Sequence, residues 1–193
     1  MEEIIDWYKN LSGKIKLLIK VIGFVLIISL LTVLFTKLFY APMLISGESM
    51  NPSLKNGDIV IISRSAYKEK EPQRYDLIAF KYRYDYSQKY IKRVIGLPGE
   101  TVYISNNTIY IKGDTETEYN ELKEYYGIFE GNPQLVDCNP VTLAKDEYFV
   151  LGDNRYDSDD SRGSVGIVKK KTIIGKAVFR LFPFNGIGSL KYQ

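Results

Sequence analysis

The stretch SGESMNPSL, residues 46–54, separates two parts of the chain that have different hydrophobic patterns. Before it lies one long apolar run, whereas the residues after it form short apolar segments separated by turn signals. Ser49 lies at the centre of this stretch, where the flanking glycine and proline predict a turn. Most serines in such turns only cap the turn, so chemistry can be assigned to Ser49 only with support from residues elsewhere in the chain.

The apolar run before this stretch extends over residues 17–40 and has the length of a membrane span. About 20 apolar residues cross a hydrocarbon core of about 30 Å, and the side chains of Lys20 and Lys37 can reach the two membrane surfaces. A cleaved signal peptide also begins with basic residues, but its apolar region is usually only ~7 to 15 residues long and ends at a small-x-small cleavage site. No such site follows this run. We therefore predict a single transmembrane helix over residues 17–40.

The distribution of lysines around the run predicts its orientation. Lysines at positions 9, 14, 16 and 20 lie on the amino-terminal side, and only Lys37 lies close on the other side. Basic residues flanking a span favour the cytoplasmic side. Residues 1–16 are therefore expected to be cytoplasmic, and residues 41–193 are expected to lie outside the cytoplasm, anchored to the cell membrane.

The residues after position 45 have the pattern of short β-strands. Glycine, proline and asparagine pairs, such as Gly57-Asp58, Pro98-Gly99 and Asn106-Asn107, separate the apolar segments. The predicted strands are residues 58–63, 77–82, 89–95, 101–104, 108–112, 147–151 and 173–182. We predict a mainly β protein, in which the transmembrane helix is followed by an irregular all-β domain.

Residues 113–145 interrupt this pattern with a more acidic and less periodic insert. Such a charged stretch is usually a solvated surface excursion, and we expect no chemistry from it. Cys138 lies within the insert and is the single cysteine of the sequence, so an internal disulfide is excluded. We expect Cys138 to occupy an irregular loop.

The sequence contains no histidine, which restricts the chemistry that Ser49 could perform. A Ser-His-Asp triad, a Cys-His pair and any metal site with histidine ligands are excluded. A serine nucleophile would need a lysine, a carboxylate or an N-terminal amine as its base. The net charge of +3, from 26 basic and 23 acidic residues, is too balanced to indicate nucleic-acid binding.

The segment of residues 153–163 is rich in carboxylates, which are the ligands that calcium prefers. An EF-hand loop that begins at Asp157 would place Arg162 at the position of the turn glycine and Val168 at that of the bidentate glutamate. A looser calcium site stays possible, but Arg155 and Arg162 alternate with the acids and favour a loop braced by Asp–Arg hydrogen bonds. We predict no metal and no cofactor.

Lys92 is the candidate base, and it can act only when its amine is neutral. A lysine with a pKa near 10.4 is neutral at pH 7 in about one molecule in 2,500, so burial would have to lower the pKa. On a strand, Lys92 would share a face with Tyr90 and Val94, which is compatible with burial. A solvated edge strand is the alternative, because Arg93 follows directly.

These motifs, taken together and in this order, resemble the bacterial type I signal peptidase family, the membrane-bound serine proteases that remove signal peptides from exported proteins. The resemblance covers Ser49-Met50-x-Pro52, residues 74–82, residues 90–99, and residues 152–162 with their Gly-Asp-Asn-Arg start. It extends over essentially the whole chain. The short pattern and the lysine base fit the Gram-positive bacterial branch of the family, and the lack of histidine argues against the endoplasmic-reticulum branch, which uses histidine as its base.

The resemblance implies a role for each matching residue. Ser49 would be the nucleophile and Lys92 the general base. Ser158 would hydrogen-bond to the lysine and orient it, while Asp160 and Arg162 would support the site as a salt bridge. The implied substrates are secretory preproteins, cleaved after small residues, and the implied surroundings are membrane lipid.

The oxyanion site implied by the resemblance uses the backbone N–H of Ser49. Some family members add a serine hydroxyl two residues before the nucleophile, but Gly47 occupies that position here. The loss of such a donor can cost roughly 3 kcal/mol of transition-state stabilisation if nothing replaces it.

Two other functions are compatible with parts of this pattern. A LexA-like self-cleaving protease uses the same Ser-Lys chemistry, but the membrane span and the lack of a DNA-binding segment disfavour it. A membrane-anchored β domain that only binds partners would not depend on Ser49 or Lys92.

Overall fold

The computed structural model describes residue 7, residues 11–124 and residues 137–190. The chain divides into two compact units, Met1–Phe39 and Tyr40–Gln193. The first contains a helix, and the second contains every described strand.

Helix α1 extends over Gly13–Phe39 and is long and apolar enough to cross a membrane. Ser12 precedes it, and the Ser12 hydroxyl accepts a hydrogen bond from the N–H of Ile15, as a helix-capping serine does. None of the helix side chains is buried within the protein. The helix ends before Pro42, which cannot continue helical hydrogen bonding.

The second unit is built from strands, with two short 3₁₀ helices at Lys170–Thr172 and Phe184–Gly186. The strands are β1 (Tyr40–Leu44), β2 (Ile59–Ser63), β3 (Leu77–Lys81), β4 (Lys89–Gly96), β5 (Thr101–Ser105), β6 (Thr108–Lys112), β7 (Asn120–Glu121), β8 (Cys138–Thr142), β9 (Glu147–Leu151), β10 (Val168–Lys169), β11 (Ile173–Phe182) and β12 (Gly188–Ser189).

The larger sheet has the order β1-β2-β11-β3-β4-β9-β10, and β12 pairs with β11. All of its pairs are antiparallel. Strand β11, near the end of the sequence, lies between β2 and β3. A strand from the C-terminal part of the chain therefore joins two groups of strands that come mostly from earlier parts of the sequence.

The smaller sheet has the order β7-β6-β5-β8 and is also antiparallel. Asn106 and Asn107 connect β5 to β6 with positive φ angles of 48° and 62°, which asparagine tolerates better than most residues. The predicted turn at this pair is therefore present. Buried side chains from both sheets form the core, and Ile95, Val102, Ile104, Phe149 and Leu151 make up its most completely buried part at the smaller sheet.

The predicted mainly β fold with one N-terminal apolar helix is confirmed, and all seven predicted segments contain strands. The longer strands that the sequence did not reveal are β1 and β8, each of which contains a proline, Pro42 or Pro140. Both lie at the edge of a sheet, where one side of the strand needs no hydrogen-bond donors and proline is tolerated. Because of their prolines, these two edge strands could not be predicted from the sequence.

The expectation that residues 113–145 form only a surface excursion is wrong for the part after residue 137. Cys138 lies on β8, opposite Ile104, rather than in an irregular loop. Leu143, directly after β8, is buried in the core. Residues 125–136 of the predicted insert lie outside the described residues. The Asn139-Pro140 pair resembles a break, but the apolar residues beside it pack onto the smaller sheet.

Candidate active site

Ser49 lies in the turn between β1 and β2, and the apolar side chains that follow it hold this turn in the core. Met50 and Leu54 are fully buried and pack in one cluster with Val60 and Ile91. The backbone N–H of Leu54 donates to the carbonyl of Met50 over 2.8 Å. The apolar residues after the serine therefore fix the turn, and the polar residues before it face the solvent.

Lys92 lies on β4, opposite Ile78 of β3, and its side chain points into the protein. Only 2% of the residue is exposed, which excludes the alternative of a solvated edge. Its Nζ donates a hydrogen bond to the Ser49 hydroxyl over 2.6 Å. The structure thus brings together a hydroxyl and an amine that are 43 residues apart in the sequence.

Burial determines the protonation of Lys92. Desolvation disfavours the ammonium form and lowers the pKa of Lys92 to about 8. The carboxylates of Asp160, Asp159 and Asp153 act in the opposite direction, and the positive charge of Arg162 adds a smaller lowering effect. At pH 7 about one amine in ten is then neutral, compared with about one in 2,500 for an unperturbed lysine.

Residues 152–162, which we call the catalytic loop, pack against the turn that carries Ser49. The N–H of Asn154 donates to the carbonyl of Ser49 over 3.0 Å, and the Asn154 side-chain amide donates to the carbonyl of Glu48 over 3.2 Å. A side chain at Gly152 would place its Cβ 2.4 Å from the Ser49 carbonyl oxygen, so only glycine fits this position. Two segments about 100 residues apart are thereby held in direct contact.

Asp160 and Arg162 form a two-point ion pair inside the catalytic loop. The guanidinium Nε and Nη2 of Arg162 donate to the two carboxylate oxygens of Asp160 over 2.8 and 2.7 Å. Asp160 also accepts the N–H of Gly152 over 3.0 Å and is completely buried. The pair therefore supports the backbone of the loop as well as the charge balance near Lys92.

Ser158 is placed differently from its expected role. Its hydroxyl oxygen is buried and makes no hydrogen bond with any described residue. The expected hydrogen bond to Lys92 is therefore not formed, and Nζ of Lys92 is instead directed at Ser49. Ser158 nonetheless packs beside the site, because a Cβ on Gly152 would lie 2.1 Å from the Ser158 hydroxyl oxygen.

The position two residues before Ser49 adds no side-chain donor. Gly47 has a positive φ of 91°, which favours glycine, and its N–H donates to the side-chain oxygen of Asn56 over 3.0 Å. The glycine thus shapes the turn through its backbone, and its N–H is already engaged outside the reaction centre.

Two buried ion pairs beside the site could not be assigned from the sequence. Arg93 donates through Nε and Nη2 to Asp153 of the catalytic loop over 2.7 and 2.5 Å. Arg155 was expected to pair with acids of its own loop, but it pairs with Glu124 of the predicted insert. Lys92 and Arg93 are neighbours on β4, and both are buried.

A cleft of about 380 Å³ opens beside the Ser49 hydroxyl. One wall is formed by the end of β1 and the residues that follow it, and the other by the start of β4. The lining residues are Met43, Leu44, Ile45, Ser46, Ser49, Gln88, Lys89, Tyr90 and Ile91. A larger cavity of about 480 Å³ lies elsewhere in the same unit, and neither Ser49 nor Lys92 lines it. The geometry therefore favours the smaller cleft as the place where a peptide meets the serine.

Comparisons with known proteins agree with this geometry. The family model described as "Signal peptidase, peptidase S26" matches residues 18–182. The chain is 34% identical over 168 residues to a signal peptidase I of Bacillus amyloliquefaciens, with 86% of this chain and 89% of that protein covered. It is 35% identical over 158 residues to signal peptidase IB of Staphylococcus aureus, with 77% and 81% covered.

A solved structure of a signal peptidase I from Enterococcus faecalis V583 is 38% identical to this chain. The match covers 55% of this chain and 97% of the solved one, with a TM-score of 0.46.

Proposed function

Because this chain belongs to the peptidase S26 family of signal peptidases, we propose that Ser49 and Lys92 are its catalytic pair. The protein is a membrane serine endopeptidase that removes signal peptides from secretory preproteins. The observation that supports the assignment of these two residues is the 2.6 Å contact between the Lys92 amine and the Ser49 hydroxyl. Family membership disfavours both a self-cleaving repressor and a domain that only binds partners.

The proposed reaction begins when neutral Lys92 removes the proton from the Ser49 hydroxyl. The serine oxygen attacks the scissile carbonyl, and the resulting ammonium of Lys92 gives its proton to the leaving amine. The mature protein departs and leaves the signal peptide as an ester on Ser49. Lys92 then deprotonates a water molecule, which attacks the ester, and returns that proton to the departing Ser49 oxygen as the signal peptide is released.

The supporting residues position the reacting groups and do not themselves make or break bonds. Asp160 and Arg162 hold the catalytic loop through the N–H of Gly152. Ser158 packs beside the site without a hydrogen bond to Lys92, so we assign the orientation of the lysine to its contact with Ser49. The backbone N–H of Ser49 is the proposed oxyanion donor, and Gly47 contributes no hydroxyl.

The proposed substrate position is the cleft between the end of β1 and the start of β4. Its apolar lining from Met43, Ile45 and Ile91 suits small apolar side chains. Cleavage after small residues at the first and third positions before the scissile bond, as in the family, is therefore proposed for this chain.

The proposed topology follows from the lysines and the apolar helix. Residues 1–16 lie in the cytoplasm, residues 17–40 cross the membrane once, and residues 41–193 form the peptidase domain outside the cytoplasm. The partners are secretory preproteins and membrane lipid, with no role for nucleic acid.

Substitutions at Ser49 test the catalytic assignment. Ser49→Ala should abolish cleavage of a preprotein in detergent, because no other group replaces the nucleophile. Ser49→Cys should retain measurable activity, because a thiol needs less help from the base. Both rates are measured on one preprotein, with circular dichroism as the control for folding. A folded Ser49→Ala variant that cleaves at the wild-type rate would exclude Ser49 from the reaction.

A further inference from the structure

Glu124 and Arg155 form an ion pair that is almost completely withdrawn from solvent. The Nη1 and Nη2 atoms of Arg155 donate to the two carboxylate oxygens of Glu124 over 2.5 and 2.6 Å. The side chains are 4% exposed for the arginine and 13% for the glutamate. Two-point pairs of this kind fix the mutual orientation of the partners as well as attracting them.

Arg155 transmits this constraint to Gly152 within the catalytic loop. Its Nε donates to the carbonyl of Gly152 over 2.9 Å, while the N–H of Gly152 donates to Asp160 over 3.0 Å. The backbone carbonyl of Arg155 also accepts a hydrogen bond from Arg162 over 3.0 Å. Gly152 is therefore held on its carbonyl side by Arg155 and on its N–H side by Asp160.

The position of Gly152 leaves little freedom to the groups beside it. A Cβ at this residue would lie 2.1 Å from the Ser158 hydroxyl and 2.4 Å from the carbonyl oxygen of Ser49. Two residues further along, the N–H of Asn154 binds that same carbonyl over 3.0 Å. A displacement of Gly152 would therefore be felt directly by the backbone of the nucleophile.

Glu124 itself is anchored to the body of the domain through its neighbours. The N–H of Leu122 donates to the carbonyl of Ile109 over 2.8 Å, directly after β7 pairs with β6. The hydroxyl of Tyr75 donates to the carbonyl of Lys123 over 3.0 Å. The carboxylate thus acts on Arg155 from a supported position on the smaller sheet.

We propose that Glu124 is a positioning residue for signal-peptide cleavage, which holds the catalytic loop against Ser49 by clamping Arg155. This role rests on the proposed catalytic function of Ser49. A misplacement of reacting groups by about 1 Å can cost about 100-fold in rate, so a partial release of the loop should be visible in kcat. The pair lies outside the cleft that receives the peptide, so substrate affinity should change little.

The test compares Glu124→Gln with Glu121→Gln in the full chain in detergent. Glu121 is exposed on β7, and Glu121→Gln removes the same charge from the same part of the sequence. Glu124→Gln should lower kcat about tenfold and leave KM within about twofold, whereas Glu121→Gln should leave both near wild type. Rates are measured well below the melting temperature of each variant, so that a loss of stability alone does not alter kcat.

A double-variant cycle with Arg155→Lys separates positioning from general damage. If Glu124 acts through Arg155, the double variant should be no slower than Arg155→Lys alone, because the second change removes nothing further. Additive losses, or a Glu124→Gln kcat within twofold of Glu121→Gln, would overturn the proposal. If Glu124→Gln does not fold, Glu124→Asp withdraws the carboxylate by one methylene, and a wild-type kcat in that variant would overturn it equally.

Ser49→Ala is assayed in parallel to keep the two proposals distinct. An inactive Ser49→Ala together with an unaffected Glu124→Gln would reject only the positioning role. An active Ser49→Ala would reject the catalytic assignment on which that role rests.

Discussion

At the scale of single residues, Lys92 combines two properties that are rarely found together in a lysine. It is almost completely buried, and its amine contacts a hydroxyl rather than a carboxylate. A carboxylate in direct contact would stabilise the ammonium and keep the base protonated. The three nearby aspartates raise the pKa of Lys92, but desolvation lowers it by more, so the net effect of the surroundings is a lower pKa.

The pH dependence of cleavage should report this balance. Lysine is active when neutral, so kcat/KM should rise with pH and reach half of its plateau near pH 8, the pKa of the buried amine. Lys92→Arg should be nearly inactive, because a guanidinium does not lose its proton in this range. Initial rates on a preprotein between pH 6 and 10.5 measure both effects. A midpoint that stays near 10, or an active Lys92→Arg variant, would contradict a role of Lys92 as the base.

Burial of the amine should also make stability depend on pH. The pKa of Lys92 is lower in the folded protein than in the unfolded chain, so between about pH 8 and 10.5 the unfolded chain binds more protons. The contribution of Lys92 to the free energy of unfolding therefore rises with pH across that window. At about 1.4 kcal/mol per pH unit, the total change is on the order of 3 kcal/mol.

Lys92→Met isolates this effect because methionine has a similar length and no charge. The free energy of unfolding of the variant, relative to wild type, should be most favourable below pH 8 and should decline by roughly 3 kcal/mol towards pH 10.5. Denaturant titrations at several pH values measure the difference. Lys89→Met, at an exposed position on the same strand, is the control. A difference between Lys92→Met and wild type that is constant with pH would contradict a lowered pKa for Lys92.

The sequence predicted which residues to consider at this scale but not how they are buried. Ser49 and Lys92 could be selected because histidine is absent and because their motifs resemble a known family. The acidic partners of Arg155 and Arg93 could not be predicted from the sequence. Each arginine could pair with several acidic residues, and the packing of the strands determines which one it contacts.

At the scale of elements, β11 approaches the backbone of β2 closely at Gly175. A Cβ at Gly175 would lie 2.1 Å from the carbonyl oxygen of Ser63 and 2.8 Å from its carbonyl carbon. Both atoms belong to the backbone of β2, which is fixed by pairing with β1 and β11. Neither strand can yield without loss of hydrogen bonds.

Gly175→Ala should therefore destabilise the protein by about 3 kcal/mol, at the upper end of overpacking effects. For a protein of this size, that corresponds to a melting temperature roughly 6 to 12 °C lower. Gly188→Ala, in β12, is the matched control, because no atom of the described residues lies within 4 Å of its added Cβ. Thermal unfolding of the two variants in detergent gives the comparison. Equal melting temperatures would show that β2 and β11 can separate without cost.

Elements in the interior of the sheets were easier to predict than those at the edges. Strand β6 alternates buried isoleucines with less buried residues, and β9 has four consecutive buried residues, 148–151, so both show a clear strand pattern. The edge strands β1 and β8 accept proline and polar residues, and their patterns are correspondingly weak. Sequence patterns therefore become less informative where one side of a strand has no partner.

At the scale of the whole molecule, the two units require different surroundings. The apolar side chains of α1 are not covered by other parts of the protein, whereas the unit of residues 40–193 has its own buried core. Exposure of so many large apolar side chains in water would be unfavourable, so the helix requires a lipid environment.

The proposed topology predicts the outcome of proteolysis on whole cells. Protease added to intact protoplasts should digest the part of the chain after Tyr40, because that part is expected outside the cytoplasm. A cytoplasmic marker protein should survive the same treatment and be digested only after lysis. Immunodetection of the C-terminal part provides the readout. Protection of the C-terminal part until lysis would indicate the opposite orientation to the one inferred from the lysines.

The general class of the molecule could be predicted from the sequence, whereas the order of strands could not. An apolar helix followed by strand-length segments defines a mainly β domain behind an anchor. The insertion of β11 between β2 and β3 depends on which strands pair across more than 80 residues, and no local pattern encodes that choice.

This strand order has a consequence for the time at which the enzyme becomes active. The turn with Ser49 is supported by β1 and β2, Lys92 is carried by β4 beside β3, and β11 is the strand that joins these two supports. A nascent chain that ends before Ile173 already contains Ser49 and Lys92 but lacks the strand that joins these two supports within the sheet. We expect such a chain to be a latent protease that becomes active only when synthesis has passed β11.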